Sequence, residues 1–418
     1  MILPTLGKAF STYTFTDISS GFFEAAEERF SKYADRMIFK TLDMEKDLSE
    51  QGFTEGHYDM VLASNVLHVG PDIDLTLSNV RKLVKPGGWL INMEVATHFP
   101  SLREGFSMSG FPGWWYGAET GRPWGPTITV EEWDKVYRRT GWSGVDTFTP
   151  NIDSIDHLVV MVTQAVDSQI YTLRDPLSPE HAHPQRENLV IIGGSTDEVA
   201  GIVTECTNIL RPHFSSISNV ISIDEFSKSE SDAAATVLNL AELDVPIMKE
   251  LMDNQPQKLY GVKEVFSTPR EILWVTKGNR SESPFSRMLV GMARTLRREY
   301  SGINFQALDV DVLDSNSAKL FAETLLRHLN LNEANSRLVP GSILWSDESE
   351  YHLENNKIYT PRLMSADKLN DRYNSYKRRI THEVPANSSS IELTMKGDSY
   401  GLLESSPLKP TAGSDGDS

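Results

Sequence analysis

Four polar residues stand where strand-like sequence gives way to loop. Residues 11–16 (STYTFT) end at Asp17, residues 37–42 (MIFKTL) at Asp43, Tyr58–Ser64 (YDMVLAS) at Asn65, and residues 89–95 carry Glu94 next to their end. In an open α/β sheet ligands bind beyond the carboxyl ends of the strands, so these side chains are the first to question. A carboxylate at Asp17 can accept hydrogen bonds from two ribose hydroxyls, and one at Asp43 from an exocyclic adenine amine. Taken singly, each aspartate reads more often as an Asx turn or a helix cap. Their serial placement suits a nucleoside-containing cofactor.

The elements that must position them alternate between strand and helix over residues 1–168. A helix over 22–33 is capped by Ser19 or Ser20, and a second over 74–84 carries Leu75, Leu77, Val80, Leu83 and Val84 before Lys85-Pro86-Gly87-Gly88 stops it. Residues 99–128 are dense in Gly, Pro and Trp, including Phe111-Pro112-Gly113-Trp114-Trp115, and read as a folded loop or lid. A helix capped by Thr129, with Glu131 and Glu132 in its first turn, precedes a strand over 155–163. Residues 169–188 hold PLSPEHAHPQRE, with little apolar material, and read as a linker. A second α/β unit over 189–380 opens with the strand Leu189–Ile192, Gly193-Gly194 and a helix over Asp197–Leu210, and adds strands over 271–275 and 304–308. Residues 381–418, rich in Ser, Gly, Asp and Pro, read as a disordered tail, and no internal repeat is visible.

Composition bounds the function. A length of 418 residues argues for two or three domains, and 39% hydrophobic with 23% charged residues is an ordinary globular balance. The net charge of −18 argues against nucleic acid and anionic membrane as partners. Cys206, the single cysteine, excludes a disulfide framework and a Cys-based zinc site, no metal is expected, and a reducing compartment, the cytoplasm, is the default. Residues 1–11 show no secretory pattern, and the best apolar run, 158–166, is broken by Thr163 and Gln164, too short to span a membrane.

The motifs then converge on one family. YTFTDIS with GFF, FKTLDMEKD, YDMVLASNVLH, NVRKLVKPGG, PGWW and EEWDKVYRRTGWSGVD together resemble the C-methyltransferase domain of fungal highly reducing polyketide synthases, from residue 1 to about 165. LVIIGG and SPFSRMLVGMARTLRREYSGINFQALDVD resemble their structural pseudo-ketoreductase region. YHLENNKIYTPRL with KLNDRYNS resembles the exit of that region, and SIELTMKGDSYGLLES the approach to an enoylreductase. The resemblance implies a Rossmann-like class I methyltransferase domain followed by a second Rossmann-like domain. It implies methyl transfer from S-adenosylmethionine to the α-carbon of a β-ketoacyl thioester held on an acyl carrier protein, with other synthase domains as partners.

Under that resemblance His68 is the base and Glu94 the carboxylate that orients it, while Asp17, Asp43, Met44 and Asn65 bind the cofactor. Trp114 and Trp115 cap the substrate channel, attract the sulfonium, or pack in a core. His57, His98 and His157 are read as structural. One departure stands out. The family opens with a strand and a Gly-rich turn, and nothing like GxGxG precedes Asp17, so the expectation is a fragment with an exposed sheet edge and an incomplete cofactor wall. The alternative is an interaction fragment that binds no cofactor. In the second unit Gly193-Gly194 lacks the three-glycine dinucleotide fingerprint and no Tyr and Lys pair accompanies it. Arg294, Arg297 and Arg298 read as a solvated helix face. A scaffolding role is expected there, with a reductase as the weaker reading.

Overall fold

The computed structural model describes residues 2–7, 9–97, 102–150, 158–179, 185–226, 235–253, 255–267, 270–280, 283–300, 302–378, 389–397 and 399–407. His98, His157, the start of the expected strand at 155 and the end of the expected tail lie outside them. Residues Met1–Thr360 cluster as one unit and Pro361–Ser418 as another, whereas the sequence placed that boundary at 380.

In the first half, β1 (Tyr13–Asp17) pairs in parallel with β2 (Met37–Thr41), Tyr13 opposite Met37 through Asp17 opposite Thr41. A parallel pair needs a crossover, supplied here by the helix Phe23–Arg29 between two short 3-10 turns. The rings of Phe15, Phe23 and Phe39 pack mutually and hold that helix on the two strands. A separate sheet has the order β3 (Tyr58–Ser64), β4 (Val84–Val95), β6 (Leu158–Gln164), β5 (Thr147–Phe148), with β3 and β4 parallel and β6 antiparallel to β4. The expected single layer is thus two sheets, with Asp17 and Asn65 closing strands in different ones.

Helix Ile73–Leu83 is capped by Asp72, whose side chain accepts from Asp74 and Leu75 amides, and it runs straight into β4. Lys85-Pro86-Gly87-Gly88 therefore does not form a stop before the strand. It lies within β4 as an irregularity, where Gly87 has φ +82° and a Cβ would stand 2.2 Å from the carbonyl oxygen of Leu344. Only glycine lets the second half approach so closely at that point. Helix Val130–Arg139 begins with the expected capping box, Thr129 with Glu132. Its Trp133 and Tyr137 are buried with Leu77, Leu90, Trp142 and Met161 in the core of the four-stranded sheet.

The second half is a seven-stranded sheet. Its order is β13 (Lys357–Tyr359), β12 (Glu350–Glu354), β11 (Asn304–Val310), β10 (Glu271–Lys277), β9 (Thr236–Asn239), β7 (Leu189–Ile192), β8 (Ile217–Val220). Every pairing is parallel except β12 with β13. Central strands are buried on both faces, as continuous runs such as LVII require. Helices Asp197–Leu210 and Ser317–Arg337 pack on one face and Gln257–Val265 and Pro284–Glu299 on the other.

Two expectations about connecting segments fail. The start of the expected linker is the helix Ser168–Arg174, whose Ile170 and Leu173 are buried with Leu331. The Arg327 and Asn330 side chains donate to the carbonyls of Leu173 and Thr172, so this segment is docked rather than free. Apolar spacing over one short helix is too little signal to compete with three prolines just after it. Within the expected tail, β14 (Ser389–Lys396) and β15 (Ser399–Pro407) pair as an antiparallel hairpin. Among the described residues no helix is long and apolar enough to cross a membrane.

Candidate active site

The site is built where β3 and β4 end side by side, Ser64 opposite Met93. Asn65 follows β3 with φ 49°, a left-handed conformation that asparagine tolerates better than most residues, and its amide donates to Met93 O at 2.8 Å. This turn aims the next amides at Glu94. Glu94 is 0% exposed, and its Oε1 accepts from Leu67 N (3.0 Å) and Val66 N (3.3 Å) while its Oε2 meets His68 Nδ1. Both oxygens of a buried carboxylate are therefore committed. The pair fixes the histidine tautomer with its proton on Nδ1 and leaves Nε2 as the proton acceptor.

Beneath Glu94 on the same face of β4, Asn92 donates to Tyr137 Oη at 2.9 Å. Burial, with the Glu94 charge adding to it, pushes the Tyr137 phenol well above its ordinary range and keeps it neutral. The loop after His68 is held by Arg122. This guanidinium is 7% exposed and donates through Nη1 to His68 O (2.6 Å) and Pro126 O (3.0 Å), and through Nη2 to Pro71 O (3.1 Å) and Gly70 O. Burial lowers its pKa. Neither Arg122 nor the Asn92–Tyr137 pair was singled out from sequence. Each joins residues 45 or more positions apart, and no local spacing marks them.

The expected cofactor residues are divided between the two sheets, with Asp17 and Asp43 following β1 and β2 and Asn65 following β3. Asp17 ends β1, and its Oδ1 accepts from Ser19 N at 2.9 Å, leaving Oδ2 open. Asp43 accepts from Glu45 N at 3.1 Å and pairs with Lys46 at 2.9 Å. The Lys46 ammonium, then the Glu45 amide, hold its carboxyl below the usual range. Met44 packs against the core of the four-stranded sheet, and its carbonyl accepts from Asn79 Nδ2 at 2.8 Å. At Gly70 a Cβ would stand 3.0 Å from Glu45 Oε1, so the loop after Asp43 lies against the loop after His68. His57 is exposed and stacks edge-on against Tyr58.

Within 99–128, residues 102–128 are described and contain the helix Leu102–Met108 and the 3-10 turns Pro112–Trp115 and Ala118–Thr120. Trp114 packs against Gly125, while Trp115 is 44% exposed and donates to Ser109 O. A cavity of about 310 Å³ lies beside Arg122, between Trp124, Ile128 and Glu132. A larger cavity, about 800 Å³, lies elsewhere, between Trp89, Gln164 and Leu173 of the first half and Gln306, Leu331 and Tyr351 of the second. It holds none of the strand-end acids, so the site rests on the histidine pair and not on volume. Among the described residues no group of three or more His, Cys, Asp or Glu could hold a metal ion.

Two family models match the chain: "Methyltransferase domain" over residues 1–90 and "HRPKS sdrA-like, NAD(P)-binding Rossmann-fold domain" over residues 195–364. The hybrid PKS-NRPS synthetase mpsA of Macrophomina phaseolina is 61% identical over 416 residues, covering 100% of this chain and 10% of the relative. Trichosetin synthetase PKS-NRPS1 of Gibberella fujikuroi is 40% identical over 409 residues, covering 97% of this chain and again 10% of the relative. Among solved structures, the trans-methyltransferase CalH complex with SAH is 39% identical (TM-score 0.37), covering 40% of this chain and 46% of that one. The citrinin polyketide synthase CMeT domain is 25% identical (TM-score 0.34), covering 40% and 42%.

The first half is thus a Rossmann-like methyltransferase domain and the second a Rossmann-fold domain of the reducing-synthase type. The chain is similar throughout to fungal hybrid PKS-NRPS synthetases and spans about a tenth of the length of the curated relatives it matches.

A methyltransferase domain implies an S-adenosylmethionine-type cofactor. The open Oδ2 of Asp17 and the adjoining Asp43 loop fit its nucleoside half. Gly7 is the single glycine before Asp17, so these residues supply no Gly-rich turn for the methionine half.

Proposed function

We propose that the first half removes the α-proton of a β-ketoacyl thioester borne on an acyl carrier protein so that this carbon can be methylated, within a longer cytoplasmic synthase whose other domains are its neighbours. The observation that carries the reading is the buried Glu94, both of whose oxygens are spent on holding His68 and its loop. A proton between two carbonyls is acidic enough for an imidazole to take at Nε2. Glu94 then stabilises the imidazolium, and Arg122 keeps the loop that carries it in place. Asp17, Asp43, Met44 and Asn65 would hold the nucleoside half of S-adenosylmethionine, which when bound supplies the electrophilic methyl group. The second half serves as a scaffold.

The test is deuterium exchange at C2 of an acetoacetyl thioester, followed by NMR with the full chain and no cofactor. His68→Gln should slow the catalysed exchange by on the order of 10²–10⁴. Unchanged exchange in that variant would sink the base assignment. The separation of β1–β2 from β3–β4 favours a second reading, a segment that binds no cofactor and only holds neighbouring domains. Calorimetry with S-adenosylmethionine distinguishes the two, since that reading expects neither heat of binding nor exchange.

A further inference from the structure

The second half carries a family description that names NAD(P), and its geometry can be tested against that cofactor. The chain passes from β7 to β8 on one side and then to β9 on the other, so the crevice at the carboxyl ends of β7 and β9 is the switch point where such sheets bind nucleotides. Strand β7 enters Gly193 and Gly194 at φ +130° and +104°, and Thr196 caps the 14-residue helix Asp197–Leu210. Backbone amides at this place are the donors a diphosphate would use.

Here they already have an anion. Asp244, at the end of the short helix Ala241–Asp244 that follows β9, accepts through Oδ2 from Gly194 N (2.8 Å) and Ser195 N (3.2 Å). Its Oδ1 accepts from Thr196 N (2.8 Å) and Thr196 Oγ1 (2.6 Å). Burial pushes this carboxyl up, but the Thr196 hydroxyl and the three amides outweigh it and hold Asp244 below the usual range, so the plug is charged. The space beside it, lined by Ser195, Ile223, Ala241 and Asp244, is about 30 Å³. That is roughly one water's share of liquid, where a ligand pocket needs about 300 Å³ or more. Lys258 on the same crevice is spent on Asp224 (2.8 Å) and Glu250 (3.3 Å). A dinucleotide would find its amide donors taken, the nearby lysine spent and its volume filled.

We propose that Asp244 is an internal anion standing in for the diphosphate of a dinucleotide, so that this Rossmann domain is closed to NAD(P) from within and removal of the carboxylate uncovers a diphosphate-binding loop. The inference does not depend on the methylation reading.

The experiment uses the full chain, with NADPH fluorescence titration and thermal unfolding with and without millimolar inorganic pyrophosphate. Wild type should show no NADPH enhancement and no gain in Tm with pyrophosphate. Asp244→Ala should unfold several degrees lower in plain buffer and recover at least half of that loss with pyrophosphate. Asp244→Asn, which keeps the shape and one acceptor oxygen, should lose less and recover correspondingly less, and it decides the matter if the alanine variant does not fold. NADPH binding by wild type, or destabilised variants that pyrophosphate does not rescue, would overturn the proposal.

Discussion

Among the described residues, two histidines give Nδ1 to a buried carboxylate one residue before the end of a parallel strand: His68 to Glu94 on β4, and His352 to Asp309 on β11 at 2.6 Å. Each carboxylate spends its other oxygen on two donors from the neighbouring strand end. For Glu94 these are the amides of Val66 and Leu67, and for Asp309 the Thr276 hydroxyl (2.7 Å) and the Asn279 amide (3.0 Å). The difference lies in what carries the ring. His68 is on the loop after β3, and among the described residues no partner is found for its Nε2. His352 is inside β12, is 9% exposed, and has Nε2 turned 3.7 Å from Glu354. A buried His–carboxylate pair is therefore not in itself a catalytic device. On a strand it rivets β10, β11 and β12 together, and on a loop it would present the base proposed above.

The largest expected effect separates the two pairs directly. His68→Gln should remove catalysed C2 exchange with little change in Tm, whereas His352→Gln should leave exchange at the wild-type rate and cost roughly 1–3 kcal/mol of stability. Exchange lost in both variants, or in His352→Gln alone, would break the distinction.

Next in size is Arg122, which acts on the base only through the carbonyls of residues 68, 70, 71 and 126. Misplacing a catalytic group by about 1 Å can cost on the order of 10², so Arg122→Gln should slow exchange by about tenfold to a hundredfold. S-adenosylmethionine affinity should hold, and Arg122→Lys should restore part of the rate. A parallel loss of rate and cofactor affinity in Arg122→Gln would make Arg122 a general stabiliser of the fold and not a positioning residue.

The smallest effect concerns Glu242, a carboxylate of the second half that is 3% exposed. Burial, with Glu250 nearby, pushes it up to about 8. Its folded value lies above that of the unfolded chain, about 4.3, so its contribution is complete below that pH and is lost as pH rises through about 8. Glu242→Gln keeps an acceptor for the Ile247 amide, removes the ionisation, and should raise Tm by a few degrees at pH 8 while changing it little at pH 4. A gain of equal size at both pH values would show that folding does not raise the Glu242 pKa.

Much of the architecture was legible because it is written in short-range pattern. The strand Tyr58–Ser64, the capping box at Thr129 and the fully buried run Leu189–Ile192 are periodicities and caps that local physics decides. Strand-end logic also located Asp17, Asn65 and Glu94. The helix Ser168–Arg174 was hidden by the prolines that follow it, and the hairpin Ser389–Lys396 with Ser399–Pro407 by a composition poor in apolar residues. Arg122 and Asp244 could not be read locally, because each takes its meaning from backbone groups about 50 positions away.

The sequence alone determined which residues close the strands, that the chemistry available there is that of carboxylates and imidazole, and that the single cysteine, Cys206, which the fold buries, leaves no internal disulfide within these residues. Only the tertiary structure decided which carboxylate serves which partner. Hydrogen bonds reach about 3 Å, and nothing in a linear pattern records whether folding carries a side chain that close to a histidine, as at Glu94, or to the N-terminus of another helix, as at Asp244.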